Sequence, residues 1–257
     1  MLTRLKNKII SILNFFGIDI KKNFYLKNIP LYLSSLYSFM KMGGKINSLS
    51  PYLTDFGSTA GSSRGHYFHQ DLIIASSIYN NKPLRHVDVG SRIDGFVAHV
   101  ASFRKIEVID IRHLSQSPYE NIKFVQANIM DLKSVVENST DSLSCLHAIE
   151  HFGLGRYGDP LNPDGHKIGF INLINMLKPN GILYISFPIA NTSKVIFNAH
   201  RIFSPTEIMK WPNSNQLELI NFDMVDDEGC LHRSLDIYTL NHNLKYGCGI
   251  YTFKKKM

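Results

Sequence analysis

Residues 147–159 (His-Ala-Ile-Glu-His-Phe-Gly-Leu-Gly-Arg-Tyr-Gly-Asp) crowd two histidines, a glutamate and an arginine into one short stretch. A histidine titrates near neutral pH, so it can take the proton of an attacking hydroxyl, and a neighbouring carboxylate can orient the ring. His151 with Glu150 is the first candidate for such a base, with His147 as the alternate. Arg156 and Tyr157 stand ready to touch an acceptor. Two further clusters can complete an acceptor pocket: residues 65–71, Gly-His-Tyr-Phe-His-Gln-Asp, with His66 and Tyr67, and residues 198–201, Asn-Ala-His-Arg, with His200 and Arg201. An acceptor that is already anionic needs no base, and Arg92, Arg156 or Arg201 would then hold its charge. So many imidazoles and carboxylates also raise a divalent metal. No spacing resembles a ligand set such as His-Glu-x-x-His, and no metal is expected.

Such scattered groups meet only if a scaffold brings them together, and residues 88–95, Asp-Val-Gly-Ser-Arg-Ile-Asp-Gly, say which one. They follow an apolar run at 86–89 and precede a helix-like stretch at 96–103. A second β-rich run, 106–109, ends at Asp110, twenty residues beyond Gly90. Strand, glycine turn, helix, strand and acid form the arrangement that binds an adenosine-containing cofactor: the glycine admits the ligand and the acid accepts from ribose hydroxyls. A dinucleotide wants a bare second glycine against its pyrophosphate, and Arg92 stands there instead. S-adenosylmethionine has no pyrophosphate, which makes it the expected cofactor. Asp88, Gly90, Ser91, Arg92 and Asp110 are its expected contacts, with Asn128 and Ile129, after the third strand, framing the adenine.

Seven strands are expected, at 85–89, 106–109, 121–126, 142–146, 182–187, 217–225 and 249–253, from β-rich runs bounded by turn residues. A helix with Phe68, Leu72, Ala75 and Tyr79 in register should cover 66–80. Another, with Phe170, Leu173, Ile174 and Leu177 on one face, should stop at Pro179-Asn180-Gly181. Ser204-Pro-Thr-Glu207 reads as a capping box opening a further helix. The fold expected is α/β: a seven-stranded, mostly parallel, Rossmann-like sheet of the class I methyltransferase plan, with helices on both faces.

Residues 1–50 hold eight basic side chains against one acid, Asp19, which accounts for the whole net charge of +7. The domain left to do chemistry is neutral, which argues against a nucleic-acid substrate. The expected division is a basic helical extension at 1–50 and a methyltransferase-like domain at 51–257, with a Gly- and Ser-rich loop at 41–65 between helix and core. Leu5, Ile9, Ile12 and Phe16 share a helical face opposite Lys8, Ser11 and Asn14. That segment is too short to span a bilayer. It suits packing on the domain, on a second copy in a homo-oligomer, or peripheral contact of residues 1–22 with an anionic inner-membrane surface. Three cysteines without ligand-like spacing point to a reducing, cytoplasmic compartment.

The runs at 65–72, 86–100, 141–159 and 197–201, in this order, resemble a family of methyltransferase-like proteins catalogued as a domain of unknown function. The likeness spans roughly residues 50–253. The family's own turn has the Gly-Ser-Arg-Ile-Asp-Gly form, so the resemblance makes Arg92 and Asp94 family traits. It also implies a setting in surface-glycan assembly, capsule or lipopolysaccharide, with a carbohydrate or glycan-precursor acceptor that includes sugar hydroxyls and phosphoramidate-type decorations. The expected function is S-adenosylmethionine-dependent O-methyl transfer. The alternatives are a non-catalytic scaffold of this fold in a glycan-assembly complex, and a nucleotide-sugar oxidoreductase, against which Arg92 speaks.

Overall fold

The computed structural model describes residues 25–115, 117–131, 136–240 and 243–257. The amphipathic helix expected around Leu5 and Phe16 lies outside them. The chain divides into two units, Met1–Ser62 and Ser63–Met257, a boundary twelve residues later than the composition suggests. In the first unit a 3-10 turn, Tyr25–Asn28, leads into helix α1, Ile29–Lys41, with proline in its first turn. Gly43, at φ 90°, ends it: Gly43 N donates to Met40 O and Gly44 N to Phe39 O, the paired bonds of a Schellman motif. Among the described residues no helix is long and apolar enough to cross a membrane.

The second unit is built on one mixed sheet. Its strands are β1 His86–Val89, β2 Ile106–Asp110, β3 Ile122–Gln126, β4 Thr140–Leu146, β5 Leu177–Ile189, β8 Leu217–Val225, β9 Leu231–His232 and β10 Gly247–Lys255. The order is β3-β2-β1-β4-β5-β10-β8-β9. All seven expected strands are present, and the two-residue β9 adds an eighth at the edge. The first five run parallel, and β10 is antiparallel to both β5 and β8. A separate hairpin, β6 Lys194–Ile196 with β7 His200–Ile202, stands beyond the end of β5.

Helix α2, His66–Asn81, packs Ile74, Ala75 and Ile78 on one face of the sheet with the short α3, Ala98–Ala101. Helix α4, Gly165–Met176, packs Phe170, Leu173 and Ile174 on the other face, beside Trp211. Strands buried on both faces explain why their sequences run apolar without alternating. The helix expected after Ser204 does not form: only a 3-10 turn, Glu207–Lys210, is present, and its N-cap Thr206 makes no side-chain capping bond. Two causes act together. The Glu207 carboxylate accepts from Ser193 Oγ, and Pro212 forces Trp211 into extended backbone.

Candidate active site

A cavity of about 720 Å³ opens at the carboxyl ends of β1, β2 and β4, lined by the turn after β1, Asp110, the 111–114 loop, Asn128–Met130 and the run from His147 to Asp159. Topology dictates the place: the strand order reverses about β1 and β4, and the loops that leave them part there.

The β1 turn is built from inside. Asp88 is fully buried. Its carboxylate accepts from Ser91 N at 3.0 Å, Ser91 Oγ at 2.6 Å and Ser144 Oγ at 2.5 Å. Burial pushes its pKa up to about 6. Asp88 and Ser91 therefore shape the turn from behind and do not face the cavity, which corrects their expected role as ligand contacts. Gly90 does face it, at φ 74°, and a Cβ there would lie 2.8 Å from the Cβ of Ala148. Only glycine fits such a position. Arg92 lines the rim, paired with Asp94 and lying over the Tyr67 ring at 5.3 Å.

Asp110 lines the cavity with its carboxylate engaged by Arg112, whose backbone N donates at 2.8 Å and whose Nε donates at 2.9 Å to Oδ1. The same guanidinium lies 4.7 Å from the Tyr157 ring centroid. Asn128 turns its Oδ1 to Met130 N at 3.0 Å, and Ile129 is held by Asn172 Nδ2 donating to its carbonyl at 2.7 Å. Both residues line the cavity.

The density of residues 147–159 has two explanations, one chemical and one structural. The Asp159 carboxylate accepts from Gly153 N at 2.7 Å, Gly155 N at 3.2 Å and Tyr157 N at 3.2 Å, and so wraps the loop around itself. Arg201, expected to bind an acceptor, is buried and donates to the carbonyls of Phe152 at 2.6 Å and Pro163 at 3.0 Å. It is a strut that ties this loop to β7. The corrected role has a plain reason: both of its terminal nitrogens are spent on backbone oxygens, those of Glu150, Phe152, Asn162 and Pro163.

The remaining groups converge. Glu150 is buried, and its Oε1 accepts from His147 Nδ1 at 2.9 Å, while His151 Nε2 lies 3.7 Å away. The carboxylate thus orients His147, not His151 as expected. His151 is held otherwise: its Nδ1 faces the Ala199 carbonyl at 2.8 Å. A carbonyl only accepts, so Nδ1 carries the hydrogen and Nε2 is the free base. Burial holds His151 below the usual histidine range. At His147 burial opposes the charged ring, but Cys248 and Glu150 beside it push the pKa well above that range. Of the two, His151 is the one that stays neutral at neutral pH. Arg156 Nη1 also donates to Ala199 O at 2.8 Å, and its guanidinium lies over Tyr157 at 5.2 Å. His200 lines the cavity from β7, its buried Nε2 without a partner among the described residues. Tyr67 lines it too, while His66 sits just behind, its ring 5.2 Å from that of His147, its pKa lowered to about 4 chiefly by burial.

Residues 97–210 match the family model described as Caenorhabditis protein of unknown function, DUF268. The resemblance drawn from the motifs is to this family. The DUF268 match takes in the loop at 141–159 and the run at 197–201 but neither residues 65–72 nor the turn at 88–95. No curated protein sequence matches the chain with significance. Among solved structures, a 1,6-didemethyltoxoflavin-N1-methyltransferase of Burkholderia thailandensis, with 1,6-didemethyltoxoflavin and S-adenosylhomocysteine bound, superposes with a TM-score of 0.54 at 14% identity over 90% of each chain. The [4+2]-cyclase SpnF superposes with a TM-score of 0.52 at 12% identity over 77% of this chain and 86% of its own. At such identities the likeness is one of fold, and the fold is that of the class I methyltransferases.

Two contributors to the site went unseen in the sequence. Tyr246, stacked at 5.4 Å on His66 and 5.5 Å from His200, lines the cavity, and Cys248 lies beside His147. Tyr246 immediately precedes β10 and Cys248 is its second residue. Because that strand is antiparallel, its beginning lies where the parallel strands end. An allowance for the antiparallel last strand would have pointed to residues 245–248.

Proposed function

We propose that this chain is an S-adenosylmethionine-dependent O-methyltransferase whose acceptor is a hydroxyl of a sugar or glycan precursor. The observation that carries the reading is the cavity bounded on one side by Gly90 and Asp110 and on the other by His151 with its Nδ1 anchored. When bound, the cofactor would supply a methyl group on a cationic sulfur. Gly90 lets the ligand approach the backbone, Asp110 shares its carboxylate between Arg112 and the ribose hydroxyls, and Asn128 and Ile129 flank the adenine. His151 Nε2 takes the acceptor proton. Tyr67, Tyr157 and Tyr246 present part-exposed rings on which a sugar ring can lie, and Arg156 adds a donor.

Calorimetric titration with S-adenosylmethionine, S-adenosylhomocysteine and NADH tests the cofactor. Binding of both sulfur compounds, lost in Asp110→Ala, and silence with NADH are expected. Folded protein that ignores both sulfur compounds would sink the reading. A second reading is a protein of this fold that does not transfer methyl groups. It is favoured by Arg112, which already occupies both Asp110 oxygens, and it has a precedent of fold in the cyclase. The same titration separates the two.

A further inference from the structure

Three donors meet behind the cavity from distant parts of the chain. His66 opens α2, His147 follows β4 and Cys248 is the second residue of β10. One ligand atom from each lies within 4.8 Å of the others. His147 and Cys248 are buried. With His147 Nδ1 donating to Glu150 Oε1, its Nε2 is left buried without a hydrogen-bond partner. Cys248 Sγ makes weak contacts with Gly249 O at 3.6 Å and Gln70 Oε1 at 4.0 Å and interacts with the His147 ring. His147 also holds a left-handed backbone, φ 50°, kept by its N–H donating to Ser186 O at 2.9 Å. Non-glycine residues so held gather at functional sites.

We propose that His66, His147 and Cys248 bind a transition-metal ion of the zinc class, with Glu150 as the carboxylate behind His147. Two imidazoles and a thiolate are borderline-soft donors that suit zinc and not magnesium or calcium. A carboxylate on the far nitrogen of a ligating histidine fixes its tautomer and strengthens it as a donor. Tetrahedral bonds of ~2.0 Å to nitrogen and ~2.3 Å to sulfur set donors roughly 3.3–3.5 Å apart, so a closing of up to ~1.5 Å from the observed 4.8 Å completes the set. Binding expels to solvent the proton on His147 Nε2 together with the thiol proton, leaving Nδ1–H on Glu150. His147 borders the cavity, so the ion's remaining position is open to water or to an acceptor oxygen. The proposal does not depend on methyl transfer, because its readout is the metal itself. The three ligands are separated by 81 and 101 residues, a spacing no short motif describes.

The full-length protein, stripped with chelator and dialysed after loading, is to be measured for zinc content and, with cobalt(II), for absorption. One zinc per chain and a thiolate-to-cobalt charge-transfer band that zinc displaces are expected. Cys248→Ser should abolish the band, and Glu150→Gln should keep it while weakening affinity by ~10–100-fold. If Cys248→Ser does not fold, His66→Asn takes its place and should lower affinity at least as far as Glu150→Gln. Background zinc in the wild type, cobalt bound without a thiolate band, or unchanged affinity in the ligand variant would each overturn the site.

Discussion

Replacing Gly90 by alanine tests the β1 turn at the atom where cavity, backbone and neighbouring loop meet. The backbone is left-handed there, at φ 74°, which costs an L side chain ~1–2 kcal/mol. The added Cβ would stand 2.8 Å from Ala148 Cβ, where carbons rest at about 3.5–4.0 Å, and overpacking of that kind costs ~1–3 kcal/mol. The expected loss is therefore ~2–5 kcal/mol. Trp211 is the only tryptophan and is buried in the second unit, so its fluorescence in urea reports the unfolding of the unit that carries the turn. Adding Ala148→Gly to Gly90→Ala removes the contact and leaves the backbone cost. The double mutant should thus be more stable than the sum of the single effects by the overpacking share, ~1–3 kcal/mol. A loss below ~1 kcal/mol in Gly90→Ala, or strict additivity in the cycle, would refute the reasoning.

Asp88 should give the second unit a pH-dependent weakness. Its pKa is raised from 3.8 to about 6, so the folded chain binds the proton more tightly than the unfolded one. Stability tied to this group is full below pH ~4 and is lost as pH rises through ~6, by about 3 kcal/mol in all; urea midpoints across that window should show a term that Asp88→Asn removes. Arg201→Lys should lower stability by ~2 kcal/mol or more and leave ligand affinity in the properly folded fraction unchanged, as calorimetry would show; a selective loss of affinity would restore it as a binding residue. Asp159→Ala strips an acceptor from three backbone N–H groups and should loosen residues 153–159, read as faster amide exchange confined to that loop. With an acceptor in hand, the acid limb of kcat/KM should fall below the free-histidine value of about 6.5, because His151 is lowered; turnover should vanish in His151→Ala while cofactor binding persists.

Sheet and turn were legible in the sequence because both depend on local rules: apolar runs between turn residues, a glycine where only glycine fits, an acid at the end of the next strand. All seven expected strands exist, and Gly90, Asp110, Asn128, Ile129, His151 and Tyr157 share one cavity as their positions at strand ends implied. Direction of a side chain is not local. Arg201 reads as an acceptor ligand, yet with Asp159 it holds the loop, because backbone groups brought near by folding consumed their hydrogen bonds. Glu150 reads as the partner of the adjacent His151, yet it binds His147, three residues away, because a 3-10 turn at Ile149–His151 swings it there. Cys248 and Tyr246 carried no signal at all. They joined the site only when the last strand entered the sheet antiparallel and set its first residues beside His66 and His147.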